Sequence, residues 1–108
     1  MKRIILSLIA AVALAGAAQA KTVKATFYVG GKCEMCKARI EKAAKKQEGV
    51  TSAKWNAKKQ KLALVYDNTK TNVQKVQKAI AAVGHDAGNI KATDKAYNGL
   101  PGCCKYRK

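Results

Sequence analysis

The sequence predicts an α+β sandwich in which a four-stranded antiparallel sheet carries two helices on one face. Apolar residues alternate with polar ones over residues 23–29, 53–57 and 62–66, which is typical of half-buried strands. Apolar residues recur with a helical period over residues 36–47 and 73–83. With a weak fourth strand after the second helix, the order is β-α-β-β-α-β. This order is that of the split-βαβ, ferredoxin-like arrangement.

A glycine loop joins the first predicted strand to the first predicted helix. Gly30 and Gly31 end the strand and give a flexible loop, and Gly49 ends the helix. The residues predicted to face the core are Val23, Ala25, Phe27 and Val29 in the strand and Cys36, Ile40, Ala43 and Ala44 in the helix.

The second half of the predicted fold is a hairpin followed by a helix. A short polar connection at residues 58–60 makes its two strands antiparallel. Residues 71–74 have the capping-box form that opens a helix, and Gly84 ends that helix. The fourth strand, residues 87–92, is weak because only Ile90 is strongly apolar. The residues predicted to face the core are Ala53, Trp55, Ala57, Leu62, Leu64, Tyr66, Val73, Val76, Ile80 and Val83.

Residues 1–20 are predicted to be a cleaved signal peptide. The basic pair Lys2-Arg3 precedes an apolar stretch that is too short to span a bilayer. Ala18-Gln19-Ala20 then has the small-x-small pattern after which a signal peptidase cuts. We therefore expect a mature chain of residues 21–108 that is exported to the periplasm without stable membrane insertion. An uncleaved N-terminal membrane anchor is the alternative.

The chain is strongly basic, with a formal net charge of +16. Such an excess suits nucleic acid, an anionic membrane or an acidic protein partner. An exported protein meets little nucleic acid, the lysines are scattered, and Trp55 falls on the predicted core face instead of a stacking surface. We therefore expect a solvated lysine-rich surface and an acidic docking partner. A polyanion-binding module is the least favoured function, and nucleic acid is not expected as a partner.

Cys33 and Cys36 carry the chemistry that the sequence predicts. They are three residues apart at the start of the first helix, so their sulfurs can point at one place. Free N–H groups at a helix start, and the neighbouring Lys32 and Lys37, lower a thiol pKa. Thiolates bind soft metals and attack disulfides. Two sulfurs suit near-linear Cu(I) or Hg(II), whereas a closed zinc site needs four ligands.

Two further cysteines, Cys103 and Cys104, lie in the predicted irregular tail, residues 93–108, which follows a domain of residues 21–92. About ten residues separate Ala92 from Cys103 and span at most ~35 Å, so the tail can fold back to the first pair. Three interpretations stay open for the tail pair: an accessory soft-metal site, a disulfide, or an inert pair of thiols.

The chain resembles the heavy-metal-associated domain family, which includes copper chaperones, a periplasmic mercury-binding protein and N-terminal domains of metal-exporting P-type ATPases. The matching residues are Cys33-Glu34-Met35-Cys36 after a strand, Glu48-Gly49-Val50, the hairpin through Asp67, and residues 81–87. The resemblance covers residues 23–92. The family's usual motif is G-M-T-C-x-x-C, whereas this chain has Gly30-Gly31-Lys32 ahead of Cys33, which predicts a freer loop.

The resemblance implies that Cys33 and Cys36 are the metal ligands. Two sulfur ligands favour Cu(I), with Hg(II) or Zn(II) as alternatives, and the freer loop leaves the metal preference more open. His85, beside the motif in the expected fold, is either a third ligand, a proton-sensitive neighbour of the thiolates or a surface loop residue. Met35 is expected to be exposed, with metal contact as the alternative.

The predicted function is therefore an exported soft-metal-binding protein that is not an enzyme. It captures Cu(I) or Hg(II) and transfers it to a metal-transporting membrane protein or another metal-binding protein with an acidic docking face. It acts as a monomer or a metal-bridged dimer. The alternative function is a thiol–disulfide oxidoreductase with Cys33 as nucleophile and Cys36 as resolving thiol. The strand order, which is not that of thioredoxin, disfavours this alternative.

Overall fold

A three-stranded antiparallel sheet in the order β1-β3-β2 forms the centre of the computed structural model, which describes residues 21–107. Its strands are β1 (Thr22–Tyr28), β2 (Val50–Asn56) and β3 (Lys61–Asp67). Leu62 of the central strand lies opposite Phe27 on one side and Trp55 on the other. These three side chains share one face because side chains alternate along a strand. The predicted signal peptide lies outside the described residues.

Two helices, α1 (Glu34–Lys45) and α2 (Val73–Ala82), cover the apolar face of the sheet. None of the helices in residues 21–107 is long and apolar enough to cross a membrane. The opposite face of the sheet carries exposed polar residues such as Lys24, Thr26 and Lys54. The alternation predicted from the sequence is therefore confirmed for these strands. The completely buried side chains of the core include Val29, Ile40, Leu62, Val76 and Ile80.

Local backbone and capping interactions set the first and last residues of the two helices. α1 begins two residues earlier than predicted, directly after Cys33, whose extended backbone (φ −135°, ψ 179°) makes it the N-cap. In α2 the Asn72 side chain caps the helix by accepting the N–H of Lys75 at 2.9 Å. The prediction that Val83 faces the core was wrong. α2 ends at Ala82, so the helical period stops there and Val83 is exposed, while Ala81 is buried.

The predicted fourth strand is absent from residues 21–107, and so is a four-stranded sheet. Ala87 bridges Val29 at the end of β1, where a fourth strand would pair, but it also pairs with Ile90. Gly88, with φ +57°, reverses the chain between them. The Asp86 carboxylate then accepts the N–H of Ala92 at 2.8 Å. The segment therefore closes on itself after a single bridge. Ala57, predicted to face inward, is exposed because β2 ends at Asn56.

The residues predicted to form an irregular tail contain a short helix, α3 (Asp94–Asn98), and a 3₁₀ turn (Gly102–Cys104). We call the described part of this region, residues 93–107, the C-terminal segment. Its buried residues Tyr97, Leu100 and Cys104 belong to the same core cluster as the sheet and the helices. The C-terminal segment is therefore part of the packed fold.

Candidate metal centre

The loop between β1 and α1 holds Cys33 and Cys36 at one end of the molecule. Their sulfurs are 3.6 Å apart, with Cys33 partly exposed and Cys36 completely buried. The helix start brings them together, because Cys33 is the N-cap and Cys36 lies in the first turn. The convergence that the spacing predicts is present, and both thiols are free.

Hydrogen bonds to its backbone groups hold this loop in place. The Trp55 Nε1–H donates to the Val29 carbonyl at 2.9 Å, and the Gln60 Nε2–H donates to the Gly31 carbonyl at 2.7 Å. The Gly30 N–H donates to the Asp86 carbonyl at 2.9 Å. We call the loop between β1 and α1 the metal-motif loop. It therefore meets the hairpin turn and the segment after α2 at one end of the sheet, as the predicted topology requires.

The two thiols ionise differently. A hydrogen bond from the backbone N–H of Cys36 lowers the pKa of Cys33 from 9.0 to about 7, with neighbouring thiols acting in the same direction against burial. Burial raises the pKa of Cys36 from 9.0 to about 11, and the Cys104 thiol acts in the same direction. The lower thiol pKa that is expected at a helix start is thus present at Cys33. At Cys36 burial outweighs this effect. Near pH 7, Cys33 is the thiol that supplies a thiolate.

The C-terminal segment brings two more sulfurs to the same place. The Cys104 sulfur is 3.6 Å from that of Cys33, and the Cys103 sulfur is 4.0 Å from that of Cys104. The ligand atoms of Cys33, Cys103 and Cys104 all lie within 4.8 Å of one another. Cys104 is completely buried and Cys103 is exposed. Three thiols are therefore close enough to hold one ion, in addition to Cys36 beside Cys33.

Arg39 and Met35 complete the surroundings of these thiols. The Arg39 Nη1–H donates to the Cys104 sulfur at 3.3 Å. The Cys103 thiol donates to the Met35 thioether at 3.5 Å, and Met35 is 53% exposed, as predicted. The sequence analysis missed Arg39. Its position three residues after Cys36, one turn further along the same helix face, is the signal that identifies it.

His85 is buried beside the loop and is not a surface residue. Its Nδ1–H donates to the Gly30 carbonyl at 2.7 Å, because a carbonyl can only accept. Its ring stacks on Tyr106 at 5.5 Å between centroids, and its Nε2 is buried without a hydrogen-bond partner. Burial lowers the pKa of His85, so the ring is neutral near pH 7. His85 does not belong to the group of ligand atoms around Cys33 within the described residues.

Comparisons with known proteins agree with this geometry. The family model described as the heavy-metal-associated domain matches residues 26–86. The mercuric transport protein periplasmic component of Shigella flexneri is 33% identical over 85 residues, which cover 79% of this chain and 93% of that protein.

Two solved structures are also similar. A CopZ metallochaperone is 32% identical with a TM-score of 0.58, covering 60% of this chain and 98% of that one. The N-terminal domain of a potential copper-translocating P-type ATPase from Bacillus subtilis, in its Cu(I)-loaded state, is 29% identical. Its TM-score is 0.60, with 68% of this chain and 94% of that one covered. A family model that spans most of the folded region, with CxxC at the head of α1, shows that the chain belongs to the heavy-metal-associated domain family.

Proposed function

We propose that this protein captures a soft metal ion through Cys33 and Cys36 and passes it to a partner by exchange of thiolate ligands. The observation that carries the proposal is the pair of free sulfurs 3.6 Å apart at the start of α1. One thiol ionises near neutral pH, and the other is held in place by the core. When an ion binds, each ligating thiol releases its proton to solvent.

Cu(I) is the leading candidate for the cargo, and Hg(II) is the second. Thiolates select soft ions, and both ions accept few sulfur ligands. The relatives support both metals, since one is a mercuric transport protein and another is a domain in its Cu(I)-loaded state. Zn(II) is less favoured because the two proposed ligands, Cys33 and Cys36, are fewer than the four that a closed zinc site takes.

The exposure of the site supports transfer. Cys33 is partly exposed while Cys36 is buried, so an incoming thiolate meets the ion on the side of Cys33. A third sulfur can then bind before Cys33 leaves, which avoids the release of free metal. This exchange requires no enzymatic catalysis.

We also propose the setting of this transfer. The similarity to a periplasmic mercuric component supports export to the periplasm. The similarity to a domain of a P-type ATPase supports a metal-transporting membrane protein as partner. The net charge of +16 favours a partner with an acidic face.

A competition experiment tests the proposal. Purified, reduced protein is titrated anaerobically against a chromogenic Cu(I) chelator, beside the variants Cys33→Ser and Cys103→Ser. We expect wild type to withdraw Cu(I) from the chelator and Cys33→Ser to lose most of this capacity. Cys103→Ser is measured for comparison, because it removes the exposed thiol of the same cluster and leaves Cys33 and Cys36 intact. Equal competition by wild type and Cys33→Ser would refute the proposal.

One observation favours a second candidate, a thiol–disulfide oxidoreductase. A thiol of lowered pKa beside a buried thiol is the arrangement of a nucleophile and a resolving cysteine. Reduction of insulin disulfides by the metal-free protein discriminates between the two functions. Substantial turnover that is lost in Cys33→Ser supports the oxidoreductase, and its absence supports metal transfer.

A further inference from the structure

The sulfur of Cys104 lies against the proposed metal ligands although Cys104 is 71 positions after Cys33 in the sequence. The Cys33–Cys104 sulfur distance is 3.6 Å, the same as the distance between Cys33 and Cys36. Cys33 therefore has two sulfur neighbours of equal closeness, one from its own helix and one from the C-terminal segment. Both neighbours are completely buried, so both are fixed by the surrounding core.

The spacing of these sulfurs matches a site of more than two ligands. With a metal–sulfur bond of about 2.3 Å, two sulfurs on opposite sides of an ion stand about 4.6 Å apart, whereas three in a triangle stand about 4.0 Å apart. The sulfur of Cys33 is 3.6 Å from that of Cys36 and 3.6 Å from that of Cys104, and both separations are below the triangular value. Cys33 is therefore already within reach of both sulfurs that would complete a three-sulfur site.

Several contacts hold the C-terminal segment in this position. The Tyr106 hydroxyl accepts the N–H of Asp86 at 2.7 Å and donates to the Gly84 carbonyl at 2.9 Å. The Arg107 guanidinium donates to the Asp86 carboxylate and to the Ala92 carbonyl, both at 2.7 Å. Both residues thus attach the segment to the loop that follows α2. Cys104 is therefore held at the site by contacts that do not involve sulfur.

A positive charge faces the added sulfur. Three thiolates around Cu(I) carry a net charge of −2, and a buried negative charge is costly unless a donor or cation compensates it. The Arg39 guanidinium donates to the Cys104 sulfur at 3.3 Å. Burial raises the pKa of Cys104, and the charge-assisted hydrogen bond from Arg39 acts in the opposite direction.

We infer that Cys104 is a third ligand of the metal site, so that the ion is held by the sulfurs of Cys33, Cys36 and Cys104. The inference rests on the proposed function, since it concerns the same ion. Arg39 is a positioning residue for this ligand. Cys103 lies in the same cluster, but it is exposed and its thiol donates to Met35, so the inference assigns it no ligand role.

X-ray absorption at the copper edge tests the inference. The reduced protein is loaded anaerobically with one equivalent of Cu(I), and the number of bound sulfurs is measured for wild type, Cys104→Ser and Cys103→Ser. We expect three sulfurs in wild type, two in Cys104→Ser and three in Cys103→Ser. In the chelator competition, the Cu(I) affinity of Cys104→Ser falls by about 10-fold or more, the range for loss of a supporting group at a metal site. The sulfur number of Cys103→Ser tests whether Cys103 takes this place instead.

The outcomes separate this inference from the proposed function. Two sulfurs in wild type, with binding lost in Cys33→Ser, overturn the role of Cys104 and leave the proposed function standing. Three sulfurs in Cys104→Ser, with one lost in Cys103→Ser, also overturn it. No bound Cu(I) in wild type removes the proposed function and this inference together. Circular dichroism verifies that each variant is folded. If Cys104→Ser does not fold, two sulfurs in wild type or the loss of one sulfur in Cys103→Ser still overturns the inference.

Discussion

Cys33 and Cys36 show how the position of a residue sets its chemistry. Both are thiols in one turn of one helix, yet the pKa of Cys33 lies at about 7 and that of Cys36 at about 11. The difference comes from a backbone N–H that faces Cys33 and from the core that surrounds Cys36. The sequence predicts the pair because the CxxC spacing is local. It does not predict the difference, which depends on how deeply the core covers each sulfur.

The first prediction concerns alkylation of the metal-free, reduced protein. A pKa lowered from 9.0 to about 7 means that the Cys33 thiolate is present above that pH and lost as the pH falls below it. We expect iodoacetamide to modify Cys33 with a midpoint near pH 7 and to leave Cys36 unmodified there. Mass spectrometry of peptides measures both sites. Unfolded protein in urea is the control, and equal rates at the two cysteines in the folded protein would contradict the prediction.

The second prediction concerns Trp55, whose ring nitrogen donates to the Val29 carbonyl at 2.9 Å. Trp55→Phe removes this donor and leaves a buried carbonyl without it. We expect the free energy of unfolding to fall by about 1–3 kcal/mol, as measured by chemical denaturation. Tyr28→Phe is the control, because Tyr28 is 40% exposed. Its effect stays below about 0.5 kcal/mol. Equal stability of wild type and Trp55→Phe would argue against the hydrogen bond.

The helices and strands follow from local patterns, and the exceptions arise where a pattern is interrupted. The hairpin of β2 and β3 and the strand β1 have strict alternation, so the sequence predicts them. The fourth strand has one strong apolar residue, Ile90, and the left-handed Gly88 turns the chain back before a ladder forms. Val83 is an exception of the same kind. It lies beyond the end of α2, where the helical period no longer determines which side chains are buried.

The third prediction tests the contact between the metal-motif loop and the C-terminal segment. A Cβ at Gly30 would lie 2.5 Å from the Tyr106 ring and 2.8 Å from the Tyr28 hydroxyl. Gly30→Ala therefore displaces Tyr106, and we expect a loss of about 1–3 kcal/mol in the free energy of unfolding. Gly102→Ala is the matched control, because a Cβ there meets nothing within 4 Å. If both variants unfold at the same denaturant concentration, the close contact between Gly30 and the Tyr106 ring is contradicted.

At the scale of the whole molecule, Arg107 joins the C-terminal segment to the rest of the fold. It pairs with Asp86 at 2.7 Å, and its guanidinium lies 4.5 Å from the Tyr97 ring centroid. Burial alone would raise the pKa of Asp86. The hydrogen bonds from Arg107 and from the Ala92 N–H outweigh burial, and the pKa lies below 3.8.

The fourth prediction follows from this ion pair. Arg107→Ala should lower the free energy of unfolding by about 1–2 kcal/mol at neutral pH. Because the pKa of Asp86 is lowered in the folded state, its contribution is complete above pH 3.8 and is lost as the pH falls through the lowered value. The stability of Arg107→Ala should therefore fall less than that of wild type as the pH is lowered. Thermal unfolding at several pH values measures this difference. Asp94→Asn is the control, since Asp94 is 97% exposed, and it should change nothing measurable. A wild-type acid profile in Arg107→Ala would contradict the prediction.

The sequence predicts the inner pair of the candidate site but not its relation to the C-terminal segment. Cys33 and Cys36 are local to one loop, and the topology predicts their closeness to His85. The position of Cys104 depends on Tyr106 and Arg107, whose partners lie 15–22 positions earlier in the chain. The periodicity of apolar residues in the sequence does not predict such contacts. For that reason the sequence leaves three interpretations of the tail pair open, whereas the structure has Cys104 beside Cys33.

The sheet has a consequence for the behaviour of many copies of the protein in solution. Within residues 21–107, β1 and β2 are both edge strands, and β1 is bridged beyond its end at only one position. Edge strands offer unpaired backbone groups to a second molecule and invite aggregation. Lysines stand on both edges, at Lys24 and Lys54, and the full sequence has a formal net charge of +16. Mutual repulsion therefore keeps the copies apart, and this protection weakens as added salt screens the charges.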